Sequence, residues 1–136
     1  MNNINIKQFM LAGNATFTVV NTETNNRFTF KVRKGDDRKP HFVSVLTGSD
    51  NENDFTFLGS IFPNRQYRHG QRSTIPITAQ SAKVFEWLFR KIYFDSLPTC
   101  IKIHHEGRCG RCGRKLTVPE SIESGFGPEC ISLIGN

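Results

Sequence analysis

The spacing of the cysteines near the C-terminal end constrains this chain more than any other feature. Cys109 and Cys112 form a Cys-x-x-Cys pair, a glycine follows each of them, and Cys130 lies farther along. Two cysteines at this spacing can reach one tetrahedral ion, because the adjacent glycines let the backbone turn sharply beside them. The spacing therefore predicts one structural zinc ion, Zn²⁺, held by these three thiolates.

A tetrahedral site needs a fourth ligand. The candidates are His104, His105 and Cys100. We favour His105, because it is the candidate nearest to Cys109, and we therefore predict a Cys3His site. His104 and Cys100 remain alternatives. The alternative to any metal is a small α-hairpin that contains reduced, partly buried cysteines.

Two short helices are predicted around Cys130. Pro119 favours the first helical turn of one of them, and the glycines in segment 125–127 end it. A second helix begins at about Pro128. Cys130 then lies in its first turn, where backbone N–H groups stabilise a thiolate.

Catalysis is not expected from these residues. Zinc deaminases carry a proline directly before the Cys-x-x-Cys pair, and this chain does not. A thioredoxin-like site needs a βαβ unit around the pair, which the sequence does not predict. His69 and Ser73 have no carboxylate partner in a recognisable setting, so we expect that the protein is not an enzyme.

The N-terminal part has the alternation of an antiparallel sheet. Four segments are predicted as strands: 15–20, 27–33, 41–46 and 54–62. In the second segment, apolar residues alternate with Arg27, Lys31 and Arg33, which places these cations together on one face. The twelve phenylalanines supply large apolar side chains for a core. We predict an α+β fold with an antiparallel β-meander whose one face is buried.

A helix and a last strand complete the prediction. The helix begins with Thr78 as N-cap, ends at about Phe94, and packs its apolar stripe on the sheet. Residues 101–105 form one more short strand. We divide the chain into a sheet-plus-helix part, 1–98, and a zinc-knuckle and short-helix module, 99–136, which pack together as one unit.

The net charge of +6 lies mainly before residue 99. Residues 1–98 carry thirteen Lys and Arg against eight Asp and Glu, whereas residues 99–136 carry five against four. A basic balance favours acidic partners. The sequence contains no signal peptide and no run near the roughly 18 apolar residues that span a bilayer. We expect a cytoplasmic protein, in a reducing compartment, with no membrane partner.

The segment from Cys109 to Cys130, CGRCGRKLTVPESIESGFGPEC, resembles a small zinc-motif domain of unknown function. The motifs that carry the resemblance are CxxCGR, LT, a serine and GxGPxC, within residues 104–131. That domain recurs in bacteriophage and actinobacterial proteins, alone or beside helicase-like and other DNA-associated modules. More loosely, segments 13–18 and 45–48 look like segments of phage-type proteins that accompany the motif. The resemblance implies a metal-binding module in a mobile-element protein, in the host cytoplasm if it is phage-encoded, and supplies no activity.

The first functional hypothesis is nucleic-acid binding, DNA or RNA, by basic and aromatic side chains. Arginine suits bidentate phosphate contacts, and an aromatic ring among arginines can stack on a base. The candidates are Arg27, Lys31 and Arg33 on the sheet, Arg65, Tyr67, Arg68 and Arg72 in a predicted loop, and Arg108, Arg111, Arg114 and Lys115 around the knuckle. The alternative is that these cations are only solvated.

The second hypothesis is a protein-binding inhibitor or adaptor that targets host machinery, for example a defence nuclease. Trp87 and Phe94 lie at the edge of the polar stripe of the predicted helix, where they are candidate anchors. Packing of both residues against the zinc module is the simpler alternative. The sequence leaves the oligomeric state open.

Overall fold

The computed structural model describes residues 3–134, and it has the predicted α+β architecture. The strands are β1 (Asn14–Asn21), β2 (Arg27–Lys34), β3 (His41–Leu46), β4 (Phe55–Ile61), β5 (Tyr67–His69) and β6 (Ile101–His105). The helices are α1 (Asn3–Met10), α2 (Gln80–Tyr93), α3 (Pro119–Ser124) and α4 (Pro128–Ile134).

The strands form one antiparallel sheet in the order β5-β4-β3-β2-β1-β6. The predicted meander from β1 to β4 is confirmed, and β6 returns to pair with the free side of β1. Phe17 of β1 is therefore opposite Phe30 on one side and His105 on the other. Strand β6, which belongs to the predicted module 99–136, is thereby part of the sheet.

Helix α1 and strand β5 were not predicted, and the predicted start of helix α2 was wrong. Helix α1 buries Ile6, Phe9 and Met10, whose spacing fits one helical face although the segment is short and polar. Strand β5 forms where a loop was predicted. Helix α2 begins at Gln80 and has Ala79, not Thr78, as its N-cap. The N–H of Ala79 donates to the carbonyl of Pro76, so a turn precedes the helix and delays its start.

Helices α1 and α2 cover the same face of the sheet. The ring centroids of Phe9 and Phe17 are 6.5 Å apart, and those of Phe30 and Phe85 are 5.0 Å apart. The predicted apolar stripe of α2 is buried throughout: Ala82, Phe85, Leu88, Phe89 and Ile92. The core therefore lies between these two helices and the sheet.

We call the opposite side of the sheet the open face. It carries Arg27, Lys31, Arg33, Phe42, Phe57, Arg68, Lys102 and His104. A register shift in the β3–β4 pairing, next to Val43 and Ser44, keeps Phe57 opposite Ser44 on this face while Leu58 is fully buried in the core. Phe42 is 40% exposed.

Within residues 3–134, no helix combines the length and the apolar character that crossing a bilayer requires.

Candidate metal centre

The Cys-x-x-Cys pair lies in a tight backbone turn after β6. The N–H of Cys109 donates to the carbonyl of Arg114, and the N–H of Gly113 donates to the carbonyl of Cys109. Gly113 has a φ of 77°, in the left-handed region that a side chain disfavours. An isolated antiparallel bridge joins Arg108 and Lys115 across this turn. The turn predicted from the glycine spacing is therefore formed, and we call residues 108–115 the knuckle.

Helices α3 and α4 bring the third cysteine to this turn. Gly125, with a φ of 81°, ends α3 in the left-handed conformation, and its carbonyl accepts a hydrogen bond from the N–H of Gly110. Cys130 lies in the first turn of α4, as predicted. The sulfur atoms of Cys109, Cys112 and Cys130 all lie within 4.8 Å of one another.

This arrangement suits a metal ion that prefers soft ligands such as thiolates. Zn–S bonds of about 2.3 Å in a tetrahedron separate the sulfurs by about 3.8 Å, so a small contraction of the observed cluster suffices. Cys109 and Cys130 are buried, whereas Cys112 is exposed. Three thiolates suit zinc and other thiophilic ions better than magnesium or calcium. The three cysteines can therefore hold a metal ion.

The surroundings of the sulfurs favour thiolates unequally. Burial acts to raise the pKa of the Cys109 thiol, but backbone N–H groups of Cys112, Gly127 and Arg111 outweigh burial and lower this pKa to about 7. Burial raises the pKa of Cys130, although Arg111 donates from Nη1 to its sulfur at 3.6 Å and opposes that effect. Cys109 is therefore readier than Cys130 to bind a cation as a thiolate.

His105 lies outside the cysteine cluster, so its role as the fourth ligand stays a prediction. The Nδ1 atom of His105 accepts a hydrogen bond from the N–H of Gly107 at 2.9 Å, and Nε2 bonds to the carbonyl of Ile122. Both ring nitrogens are thus engaged with backbone, and neither belongs to the cysteine cluster. His105 instead connects β6 to α3.

The two alternative fourth ligands also lie outside the cluster. His104 is exposed on the open face, opposite Thr18 of β1. Cys100 lies just before β6, where its carbonyl accepts hydrogen bonds from the N–H and the hydroxyl of Thr22. In the described part of the chain, the cluster thus consists of three cysteines.

Phe9 of α1 joins this centre to the sheet. Its ring centroid lies 5.8 Å from that of Phe126, between α3 and α4, and 5.7 Å from that of His105. A Cβ atom on Gly110 would lie 2.5 Å from the Phe9 ring, so only glycine fits at this position. The glycine after Cys109 therefore serves packing as well as the backbone turn.

The predicted nucleic-acid contacts do not all lie on one surface. Arg27, Lys31, Arg33 and Arg68 are on the open face, and Arg108 lies beside it in a cleft shared with Lys31 and Arg33. Arg111, Arg114 and Lys115 line a separate groove next to Cys112 and Cys130. Arg72 is exposed in the loop after β5.

Arg65 and Tyr67 differ from the expectation of a free basic loop. Arg65 lines a cavity of about 420 Å³ against α2, away from the open face. The Tyr67 ring packs on Phe85, with centroids 4.8 Å apart, and its buried hydroxyl has no hydrogen-bond partner among residues 3–134. Burial, with repulsion from Glu86, raises the pKa of Tyr67. Tyr67 is therefore part of the packing between β5 and α2.

Several side chains of the open face were not named from the sequence as possible contacts, among them Phe42, Phe55, Phe57 and Lys102. His104 had been named only as a possible metal ligand. Alternation about Val43 and Val45 was sufficient to assign Phe42 to the solvent side. The position of Lys102 beside β1 had no sequence signal, because only the return of β6 to the sheet creates that contact.

Comparison with known proteins finds a matching family for the C-terminal segment only. Residues 104–135 match a family of unknown function (DUF6011). The match spans the cysteine cluster and the end of β6, a minor part of the chain, and agrees with the resemblance to a small domain of unknown function. The comparisons with curated proteins and with solved structures found no match.

Proposed function

We propose that this chain is a small, zinc-stabilised nucleic-acid-binding protein of phage or mobile-element type. The observation that carries the proposal is the open face, where cations lie on strands adjacent to the exposed ring of Phe42 and the half-buried ring of Phe57. A positive surface attracts the phosphate backbone, and an exposed ring offers a stacking platform for an unpaired base.

One row of side chains across the sheet combines both features. Arg33 is opposite Phe42, Phe42 is opposite Ser60, and Ser60 is opposite Arg68. With strands about 4.8 Å apart, the two arginines flank the Phe42 ring over about 14 Å. The ring centroids of Phe42 and Phe57 are 6.3 Å apart, so a second ring supports the first.

Lys31 adds a cation to the open face, and its surroundings favour the binding of an anion. Its Nζ lies 4.2 Å from the centroid of the Phe55 ring. Burial, followed by repulsion from Arg33, lowers the pKa of Lys31, while Glu106 and Glu52 act in the opposite direction. A phosphate bound at this point would relieve the repulsion between the two cations.

The metal has a structural role in this proposal. Cys109, Cys112 and Cys130 would hold it, and zinc would supply a cross-link between the knuckle and α4. The same knuckle carries Arg108, which lines the cleft beside Lys31 and Arg33. The residues of the metal centre would thereby hold a cation against the open face, and catalysis has no part in the proposal.

The test is binding of the zinc-loaded protein to fluorescent single- and double-stranded DNA and RNA at about 50 and 200 mM salt. We expect saturable binding that weakens steeply with salt. The double variant R33E/R68E should bind less tightly and reduce the salt slope by about two, because two phosphates are no longer neutralised. The variant K83E, which makes the same type of change on the exposed side of α2, should leave both quantities nearly unchanged.

Absence of saturable binding at the lower salt concentration would overturn this proposal. A protein-binding inhibitor or adaptor would then be the better function. Its support is the exposed pair Tyr93 and Phe94, 37% and 68% exposed, with ring centroids 5.2 Å apart at the end of α2. Trp87 packs partly against the core, so it contributes less to such a surface than the sequence suggested. A stable complex with a host protein that is lost in F94A would support this alternative.

A further inference from the structure

A polar cleft of about 440 Å³ opens where the sheet meets the knuckle. Four segments that are distant in sequence contribute to it: β1, β2, the β3–β4 loop and the knuckle. The residues that matter here are Lys31, Arg33, Glu52, Glu106 and Arg108. Its volume lies in the range of clefts that hold a small ligand.

The cleft contains two carboxylates among three cations. Within residues 3–134, neither Glu52 nor Glu106 forms an ion pair. Carboxylates repel phosphate, so they weaken a surface that only needs to attract a nucleic-acid backbone. A carboxylate does, however, accept hydrogen bonds from the exocyclic amino group of a base, as Glu and Asp do from cytosine N4.

The walls of the cleft are held in place by backbone contacts. Asp50 accepts hydrogen bonds from the N–H groups of Glu52 and Asn53, which fixes the loop that carries Glu52. On the opposite wall, Arg108 donates from Nη1 to the carbonyl of Gly113 at 3.2 Å. The N–H of Asn14 donates to the carbonyl of Gly110 at 2.7 Å and ties β1 to the knuckle. The site is therefore largely formed before a ligand arrives.

We infer that this cleft, given the proposed function, receives one unpaired base that bears an exocyclic amino group, such as cytosine. Glu52 and Glu106 accept hydrogen bonds from the amino group, while Lys31, Arg33 and Arg108 contact the adjoining phosphates. A base in a duplex is stacked inside the helix and cannot enter the cleft, and its amino group has only one hydrogen left free at the groove edge. The substrate class is therefore single-stranded nucleic acid.

The experiment compares fluorescent dC and dT oligonucleotides of roughly 12 nucleotides, within the site sizes that single-strand-binding folds cover. The two differ where cytosine has N4–H₂ and thymine has O4, so their affinity ratio isolates the amino group. We expect dC to bind on the order of tenfold more tightly than dT, the discrimination typical of one good contact to a base edge. Measurements are made at pH 7.5 with the zinc-loaded protein.

The variant E52Q/E106Q separates recognition of the base from electrostatic attraction of the phosphates. It should bring the ratio of dC to dT affinity close to one, because a glutamine amide can donate to thymine O4 as readily as it accepts from the cytosine amino group. It should also raise the affinity for dT, because two negative charges leave a cationic cleft. The control variant E86Q removes a carboxylate from the exposed side of α2 and should preserve the ratio. Circular dichroism and the thermal midpoint verify that each variant is folded.

Each contrary result has one meaning. Equal affinity of the unchanged protein for dC and dT would overturn the inference about the cleft and leave the proposed function standing. A preference for dC that survives in E52Q/E106Q would overturn the role of the two carboxylates. Failure of both oligonucleotides to bind would overturn the inference that the cleft receives a single-stranded base, and the proposed function would fall as well if RNA and duplex DNA also showed no saturable binding.

Discussion

The sheet with its two helices and the segment after β6 achieve order by different means. Between the sheet and its helices, Phe17, Phe30 and Phe85 are at most 1% exposed, and the Phe30 ring packs on both of the others. Within residues 106–133, the buried side chains are Cys109, Leu116, Ser121, Phe126 and Cys130. Two of these five are thiols of the metal centre, so apolar burial alone contributes little to this segment.

The surface of the two regions differs accordingly. Within residues 106–133, four large apolar side chains are exposed: Val118, Ile122, Ile131 and Leu133, by 45%, 47%, 40% and 66%. Short helices that leave such residues in water need another source of stability, because isolated helices of this length are marginal. The sheet therefore depends on its aromatic core, whereas we expect the segment after β6 to depend on a metal ion held by its three cysteines. Four predictions test this difference.

The largest effect is expected from loss of the metal. Cys130→Ser should abolish zinc binding, unfold the segment after His105 and lower the free energy of unfolding by several kcal/mol, since the binding energy of a structural zinc is folding energy. The sheet should persist, because β6 is held by β1. Native mass spectrometry reports the zinc content, and amide NMR spectra report which segment loses dispersion.

The matched control is Cys100→Ser, which changes a cysteine outside the cluster and should retain zinc and stability. A Cys130→Ser protein that kept its metal and its thermal midpoint would refute the assignment of the metal centre.

The second effect concerns Phe9, which contacts both regions. Phe9→Ala removes the packing of this ring on Phe17 and on Phe126 and should lower the free energy of unfolding by about 3 to 5 kcal/mol. Because one ring serves both regions, the zinc affinity should also decrease. Urea denaturation and a competition titration with a chelator measure the two quantities. A loss of stability with unchanged zinc affinity would show that the two regions are not coupled through Phe9.

The third effect concerns the contact between the knuckle and α1. Gly110→Ala places a Cβ atom against the Phe9 ring and should destabilise the protein by about 1 to 3 kcal/mol. Gly127→Ala is the control, because its Cβ atom would meet no atom within 4 Å and should cost less than about 1 kcal/mol. Equal effects of the two substitutions, measured by thermal unfolding, would mean that the knuckle does not pack on Phe9.

The smallest expected effect is the pH dependence of stability that His41 of β3 causes. Burial lowers the pKa of His41, a hydrogen bond with the carbonyl of Leu11 opposes this, and Arg65 and Lys34 disfavour the charged ring further. With a folded pKa below the unfolded value of about 6.5, the unfolded chain binds more protons, so stability falls as the pH drops below about 6.5. The loss should stay below about 1 kcal/mol, because the ring is partly solvated.

The measurement for His41 is the free energy of unfolding in urea at pH 7.5 and pH 5. The free energy of unfolding should decrease less between pH 7.5 and pH 5 in His41→Gln than in the unchanged protein. The cysteine thiols are present in both proteins, so their contribution cancels when the two decreases are compared. An identical decrease in both proteins would exclude His41 as its source.

The sequence alone determined the strands, the long helix and the cysteine cluster. Alternation of apolar and polar residues identified β1 to β4 and β6, and the five apolar residues of α2 were all assigned to its buried face. The glycines near the cysteines and the two prolines of α3 and α4 indicated a knuckle followed by two short helices. These are local features, because a strand period, a helix period or a turn is specified by neighbouring residues.

Only the tertiary structure decided what the predicted side chains contact. His105 was chosen as a ligand because it is close to Cys109 in sequence, but the rotation of β6 beside β1 directs its ring to Gly107 and Ile122. Tyr67 was expected in a free loop, and β5 turns its ring onto Phe85. The cleft at the knuckle likewise joins four segments that no local pattern connects. Contacts between distant segments depend on the register and order of strands, and nothing in the neighbouring residues encodes these.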